Sequence, residues 1–306
     1  MAFTATDVKN LREMTGCGMM DCKKALTEAD GDMDKAVDIL REKGLAASQK
    51  KAGRIAAEGT VYALVEDNMG VVIEVNAETD FVAKNAEFMA FVDTCAKTVI
   101  EKNPADVEAL LAETAAGTEM TVDALLKEKI LVIGENIKIR RFEKYEGAVV
   151  TYVHGGGRIG VMVRFDTTDE VAAKAEFAEF GKDIAMQIAA VNPKYIAPEN
   201  VPAEVVDKEK AILTEQLRND PKNAKKPANI LEKIVSGRIN KYYEEVCLLN
   251  QAYVKDGDIT VGKYVENTAK ALGGDIKVAA FVRFEKGEGL EKREDNFADE
   301  VASMIK

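Results

Sequence analysis

The 306-residue sequence predicts an α+β protein whose core is internally duplicated. Two observations carry this prediction. Short segments with helical hydrophobic spacing, each followed by glycine, occupy the first part of the chain. Two later stretches then repeat the same order of strand, turn, strand and long helix. The composition, 47% hydrophobic and 31% charged, is that of an ordinary globular protein.

Charge and residue usage exclude several classes of function. With 53 acidic and 42 basic residues the formal charge is −11, which argues against nucleic acid as the main partner and favours a protein. No secretory signal and no membrane-spanning stretch is evident, so we expect a cytoplasmic protein that does not bind membranes. Zinc binding, nucleophilic catalysis and bound cofactors lack their usual residues. The histidine is His154, and the thiols, expected to be buried or spectators, are Cys17, Cys22, Cys95 and Cys247.

Residues 1–45 predict a three-helix module, and the polar, basic residues 46–54 predict a linker. Asp and Thr open the helical segments and Gly closes them, as helix caps require. The sequence GDMDKAVDILREKG resembles the last helix of ubiquitin-associated domains, which are docking modules. A bundle that only packs on the rest of the chain is the alternative. The segments Thr6–Thr15, Met19–Asp30 and Asp32–Lys43 precede Gly16, Gly31 and Gly44.

The core divides into two copies, which we place at residues 55–145 and 146–290. Each copy predicts a three-stranded antiparallel sheet with helices on one face. The offset between matching residues grows from 89 to 139 along the chain, so the second copy carries an insertion of 50 residues. The matching stretches are 58–104 with 146–193, and 121–143 with 260–285.

The insertion predicts an antiparallel coiled-coil hairpin at about residues 202–247. Its two amphipathic helices are expected at Pro202–Asn219 and Ala228–Val246, joined by the turn NDPKNAKKP. An exposed hairpin of this kind is typical of an interaction device. A purely structural brace is the alternative.

The stretch AETDFVAKN, residues 77–85, places an aromatic residue at an unusual position. Thr79 and Asp80 have the chemistry of a helix start, and Phe81 follows them directly. The second copy has Glu170 where the first has Phe81, so we expect this ring on a solvent-facing first turn of the helix. A ring folded back into the core is the alternative. Exposed aromatic residues at rigid positions are candidate binding anchors.

Residues 154–160, HGGGRIG, contain a match to the GxGxxG pattern of nucleotide-binding loops. Such a loop must lead from a strand into a helix, whereas this one leads into another strand, Val161–Phe165. The pattern therefore predicts a hairpin turn. His154 lies at its tip, either as a spectator or as a partner contact.

Three stretches, ETDFVAKN, TGCGMMDCKKAL and KKAGRIAAEG, together resemble the bacterial translation elongation factor Ts family. The resemblance covers the whole chain and adds a C-terminal helical tail at residues 291–306. It implies a guanine-nucleotide exchange factor for elongation factor Tu, which performs no bond-making chemistry and recycles Tu during protein synthesis. The complex could be one-to-one or a dimer of heterodimers.

The resemblance also implies which residues contact Tu. Asp80 and Phe81, with Thr79, would enter the GTPase domain near its magnesium site, where the ring wedges between helices and disturbs phosphate binding. The implied secondary contacts are Met19, Met20, Lys23, His154 and Val261.

Two functions from different classes stay open on the sequence. An exchange factor speeds GDP release from Tu, whereas a chaperone-like adapter binds partners through the module and the hairpin without changing nucleotide release. The contrast between Phe81 and Glu170 favours the exchange factor. An enzyme built on the GGGRIG run is a third, weaker hypothesis.

Overall fold

A computed structural model describes residues 3–66, 68–220 and 226–291, and these form an α+β fold, as predicted. The helical tail expected at 291–306 lies outside the described residues, apart from Glu291. Among the residues described, no helix is both long and apolar enough to span a membrane.

The chain begins with three helices that share one apolar core. They are α1 (Ala5–Thr15), α2 (Met19–Glu28) and α3 (Met33–Lys51). Thr4 caps α1 through a reciprocal pair of hydrogen bonds with Asp7, as a capping box does. The shared core contains Leu11, Cys22, Leu26, Ala36 and Leu40.

The first copy is a three-stranded antiparallel sheet with the second strand in the centre and helices on one face. Valine and isoleucine residues occupy most of the central strand, and Phe88 and Phe91 of the long helix that follows it pack against them. The elements are β1 (Glu58–Glu66), β2 (Met69–Ala77), α4 (Ala86–Lys102), α5 (Val107–Ala112), α6 (Val122–Ile133) and β3 (Lys138–Glu146).

The second copy repeats this arrangement, again with its second strand in the centre of a three-stranded antiparallel sheet. Its core contains a cluster of aromatic rings, those of Phe165, Phe177 and Phe180. The elements are β4 (Ala148–His154), β5 (Ile159–Asp166), α7 (Asp169–Ala172), α8 (Ala175–Val191), α11 (Val261–Leu272) and β8 (Lys277–Glu285).

The two sheets pack face to face, which gives the layer order helix, sheet, sheet, helix. A Cβ on Gly70 would lie 2.4 Å from Cγ1 of Val149, and one on Gly160 would lie 2.4 Å from Cγ1 of Val61. Both copies therefore have glycine at this matching position because the sheets approach too closely for a side chain. The interface is filled by Val61, Val72, Met162 and Phe284.

A fully buried carboxylate, that of Glu74 on β2, joins the end of β8 to the first sheet. It accepts hydrogen bonds from Arg140 at 3.0 Å, from Arg141 at 2.7 Å and from the backbone N–H of Gly287 at 2.8 Å. Because two guanidinium groups and a backbone donor surround it, the buried charge is compensated.

The insertion in the second copy folds as two helices, α9 (Ala203–Asn219) and α10 (Ala228–Val246), that pack on each other. Part of the turn between them, residues 221–225, lies outside the described residues. A short antiparallel ribbon follows, formed by β6 (Ala252–Tyr253) and β7 (Asp256–Thr260). The buried apolar residues of the two helices are Val206, Leu217 and Ile239.

Asp183 on α8 fixes this ribbon and the helix that follows it. Its carboxylate accepts hydrogen bonds from the hydroxyls of Tyr253 at 2.8 Å and Tyr264 at 3.1 Å, and from Nζ of Lys255 at 2.6 Å. The two tyrosine rings stack with centroids 4.3 Å apart. Burial alone raises the pKa of Asp183, but the three hydrogen bonds outweigh it and lower this pKa below its ordinary value.

The segment predicted as a linker at residues 46–54 is mostly helical, because α3 continues through Gly44 to Lys51. Gly44 does not terminate the helix. A Cβ on it would lie 3.3 Å from the carbonyl oxygen of Lys127, so glycine permits close packing of α3 on α6. Lys51 strengthens this contact by donating to the carbonyl oxygen of Ile130 at 3.2 Å.

Candidate partner-binding site

Phe81 is the most exposed of the large apolar side chains described, with 80% of its surface accessible. The solvent-facing position expected from the comparison with Glu170 is therefore confirmed, and the alternative of a ring in the core is wrong. Its position in the helix differs from the prediction, because α4 begins only at Ala86. Asn85 caps α4 by accepting from the N–H groups of Glu87 at 2.8 Å and Phe88 at 3.3 Å. Phe81 instead precedes a single 3₁₀ turn.

The residues after Phe81 fix its backbone to the core of the first copy. Val82 is 7% exposed and packs into that core. The carbonyl of Phe81 accepts from the N–H of Lys84 at 3.2 Å, and that of Val82 accepts from Asn85 at 2.9 Å. The exposed ring is therefore mounted on a turn held by a buried side chain and a helix cap.

The residues before Phe81 are held by the carboxylate of Glu135. One oxygen accepts from the backbone N–H groups of Glu78 and Thr79, both at 3.0 Å, and the other accepts from the hydroxyl of Thr79 at 2.7 Å. Thr79 therefore does not cap a helix, contrary to the prediction. Glu135 directly follows Gly134, which ends α6 in the left-handed conformation with φ 86°.

A second carboxylate makes the connection reciprocal. Glu78 accepts from the backbone N–H of Asn136 at 2.6 Å and forms an ion pair with Arg54 at 3.3 Å. The side-chain amide of Asn136 donates in turn to the carbonyl oxygen of Arg54 at 2.8 Å. We call the groups of Arg54, Glu78, Thr79, Glu135 and Asn136 the carboxylate clamp.

The second copy has no equivalent of the Glu135 carboxylate, because Gly274 stands at the matching position. A Cβ on Gly274 would lie 2.7 Å from Cγ2 of Val171. Thr168 here caps α7, its hydroxyl accepting from the N–H of Val171 at 3.3 Å. Sequence reasoning missed the clamp. The contrast of Glu135 with Gly274, 139 residues apart, is the signal that could have revealed it.

Asp80 and the residues expected on the N-terminal module are exposed. Met19 is 53% and Met20 61% exposed, and Lys23 lies one turn further along the solvent side of α2. Asp80 makes no hydrogen bond or ion pair with the part of the chain that the structure describes. These side chains are free to meet a partner.

Helix α6 supports both surfaces. Its residues Leu131 and Val132 pack against the core of α1–α3, and Glu135 follows its end directly. Helix α6 thus packs on the helices that carry Met19, Met20 and Lys23, which we call the Met19 surface, and it leads into Glu135, which holds the backbone just before Phe81.

His154 ends β4 and is exposed, with Nδ1 2.9 Å from the hydroxyl oxygen of Tyr152. The glycines that follow form the turn between β4 and β5, so the prediction of a hairpin is confirmed. Gly157 docks this turn on the first sheet, since its carbonyl accepts from the N–H of Val61 at 2.8 Å.

Val261 does not fit the expected role of a surface contact. It is the first residue of α11, its side chain is completely buried in the second-copy core, and its N–H donates to the carbonyl of Gln251 at 2.9 Å. The prediction of a direct partner contact through this side chain is therefore wrong, and Val261 is a packing residue.

The described residues contain no group of three or more His, Cys, Asp or Glu side chains arranged for a metal. What the site does present is an exposed aromatic ring, on a backbone turn held by hydrogen bonds, beside an exposed carboxylate, that of Asp80.

Comparison with known proteins decides the family. The sequence model of a family described as Elongation factor TS matches residues 78–288, and the elongation factor Ts of Syntrophotalea carbinolica is 53% identical over 309 positions that cover all of both chains. The chain belongs to the elongation factor Ts family. The elongation factors Ts of Clostridium perfringens strain SM101 and Clostridioides difficile are 52% and 51% identical over 99% of each chain. Membership in the elongation factor Ts family makes this chain a translation elongation factor.

Proposed function

We propose that this chain is a guanine-nucleotide exchange factor that binds elongation factor Tu in the cytoplasm and promotes GDP release. The observation that carries the proposal is Phe81, an 80% exposed ring on a turn fixed from both sides. Its counterpart in the second copy is a charged residue, Glu170, so the fold itself does not require a ring at this position.

An exchange factor makes and breaks no covalent bond. It lowers the affinity of its partner for nucleotide by binding the nucleotide-free form more tightly, and by reciprocity GDP weakens the factor's binding to the same extent. Mg²⁺ bridges the phosphates and the GTPase, so moving the elements that support the ion weakens phosphate binding. A ring buried on docking supplies about 2–4 kcal/mol for that movement.

The exposed residues divide into two parts in this proposal. Phe81 is the wedge and Asp80 contributes a negative charge beside the magnesium site, while the half-buried Thr79 holds the turn and lies at the edge of the contact with Tu. Met19, Met20 and Lys23 form the docking surface of a ubiquitin-associated-like module. His154 adds a secondary contact from the hairpin turn, and the coiled-coil hairpin projects as a further interaction element.

The test is the release of fluorescently labelled GDP from purified Tu after addition of this protein. The proposal predicts strong acceleration that saturates with factor concentration, and weaker factor binding as free GDP rises. Stable binding to Tu with an unchanged release rate would contradict exchange and would support the adapter function instead.

A further inference from the structure

We infer that Glu135 is a positioning residue for exchange: its carboxylate holds the Glu78–Thr79 backbone so that Phe81 is presented in its docking conformation before the partner arrives. This inference rests on the proposed function. It assigns a role in exchange to Glu135, which lies 54 positions after Phe81 in the sequence and does not need to contact Tu.

The first step is the loss of backbone partners where β2 ends. The ladder between β1 and β2 finishes at the pair Glu58 and Ala77, so the N–H groups of Glu78 and Thr79 have no strand to donate to. Glu135 supplies the acceptor at 3.0 Å for both. Hydrogen bonds to a carboxylate are stronger than those to a neutral acceptor, so the strand end is fixed where it would otherwise fray.

The second step is that the carboxylate uses both oxygens. The second oxygen accepts from the hydroxyl of Thr79 at 2.7 Å, which fixes that side chain as well as its backbone. An amide at position 135 keeps one oxygen that accepts from the two backbone N–H groups, without the negative charge, and its NH₂ group faces the hydroxyl of Thr79, which must then accept instead of donate. Glutamine therefore replaces Glu135 only in part, whereas alanine removes all the hydrogen bonds that Glu135 accepts from Glu78 and Thr79.

The third step is the comparison between the copies. The second copy has an exposed Glu170 in place of the ring and Gly274 in place of the clamp carboxylate. Its own connections at this place are a hydrogen bond from the hydroxyl of Thr167 to the carbonyl of Asp275, at 2.8 Å, and one from Nζ of Lys174 to the carbonyl of Leu272, at 2.7 Å. The wedge and the carboxylate that holds it thus occur together in one copy and are both missing from the other.

The consequence concerns the rate of exchange more than the binding of Tu. Without the carboxylate, the turn that carries Phe81 is ordered only on docking, and this partial loss of backbone freedom at Glu78 and Thr79 lowers the docked population about tenfold in total. The Met19 surface on α2 is unaffected, so binding outside the wedge persists.

The experiment compares Glu135→Ala, Glu135→Gln and the control Thr167→Val in the GDP-release assay with Tu. For Glu135→Ala we expect the maximal release rate at saturating factor to fall about tenfold, with a much smaller change in the half-saturating concentration. Glu135→Gln should lie between Glu135→Ala and the unmodified protein, and Thr167→Val should match the unmodified protein. Far-ultraviolet circular dichroism and thermal unfolding check that each variant folds.

A double-mutant cycle distinguishes positioning from general destabilisation. If Glu135 acts through Phe81, then Glu135→Ala has no further effect on release in a Phe81→Ala background. An equal loss in both backgrounds would overturn the inference, and so would full activity of Glu135→Ala when Phe81→Ala is impaired. Both of these results leave the proposed function standing.

Amide hydrogen exchange tests the clamp without Tu. The inference predicts faster exchange at the N–H groups of Glu78 and Thr79 in Glu135→Ala, and unchanged protection there would contradict it. Failure of the unmodified protein to accelerate GDP release would contradict the proposed function itself, so the two failures are distinguishable.

Discussion

Gly44 of α3 lies against the backbone of α6, where a Cβ in its place would stand 3.3 Å from the carbonyl oxygen of Lys127. The N-terminal helices are thereby seated on the same helix that ends at Gly134 and leads into Glu135. A tether of flexible residues would allow the docking surface and the wedge to move independently. The observed packing instead fixes their relative positions, so under the proposed function both would meet Tu together.

A larger side chain at position 44 should weaken the packing of α3 on α6. For Gly44→Leu we expect the free energy of unfolding to fall by about 1–3 kcal/mol, because the side chain has only backbone to displace. The matched control is Gly237 on α10, a helical glycine where an added Cβ would meet no atom within 4 Å. Gly237→Ala should stabilise by about 0.5–1 kcal/mol. Urea denaturation measures both, and an unchanged stability of Gly44→Leu would contradict the close packing.

The two methionines on α2 should affect docking separately from exchange. Replacing both Met19 and Met20 by alanine removes exposed apolar surface, so we expect the half-saturating concentration in the GDP-release assay to rise about 3- to 30-fold. The maximal rate should change little because the wedge is intact. Val191→Ala at the end of α8, 41% exposed and outside the proposed contact surfaces, is the control that should leave both parameters unchanged. A loss of maximal rate alone would contradict the assigned docking role.

The stability contributed by Asp183 should depend on pH. Its folded pKa lies below its ordinary value of 3.8, so the contribution is present above pH 3.8 and is lost as the pH falls toward the folded pKa. Near neutral pH we expect Asp183→Asn to lower the free energy of unfolding by about 1–3 kcal/mol. The gap between variant and unmodified protein should narrow below pH 3.8.

Urea denaturation from neutral to acidic pH measures this difference. The control is Asp207→Asn, an exposed partner of Lys210 at 3.9 Å, which should change stability by less than about 0.5 kcal/mol. A gap for Asp183→Asn that stays constant into acid would contradict the role given to its charge.

The cysteines should be unreactive in the folded protein. All four are buried, and burial raises the pKa of each thiol, that of Cys247 to about 11, so little thiolate forms near neutral pH. We expect a colorimetric disulfide reagent to titrate the thiols slowly in buffer and rapidly in guanidinium chloride. A thiol that reacts rapidly in the folded protein would contradict this. The residues are Cys17, Cys22, Cys95 and Cys247.

The helices, the duplicated sheets and the hairpin turn were predictable because their signals are local. Hydrophobic period, capping residues and glycines repeat within a few positions, and the two copies report on each other. The exposure of Phe81 followed from such a comparison, since Glu170 marks the matching position as solvent-facing.

The clamp and three other assignments, those of Thr79, Gly44 and Val261, were not predictable in this way. Glu135 meets Thr79 across 56 residues, so no local pattern announces the contact. A threonine before a helix is typical of an N-cap. The hydroxyl of Thr79 instead donates to the carboxylate of Glu135, and Asn85 caps the helix. A glycine after a helical segment is typical of a helix end, but α3 continues through Gly44, where glycine allows α3 to pack closely on α6. Val261 opens a helix as a surface residue can, but that end of α11 is buried in the core.

The central claim is that Phe81 drives exchange, and the most direct test is the maximal rate of GDP release from Tu with Phe81→Ala. The matched control is Glu170→Ala, which alters the exposed counterpart in the second copy. We predict that Phe81→Ala folds normally and loses about 30- to 1,000-fold in stimulated release, as expected for about 2–4 kcal/mol of wedge energy. Glu170→Ala should match the unmodified protein. Normal stimulation by a folded Phe81→Ala variant would contradict the account.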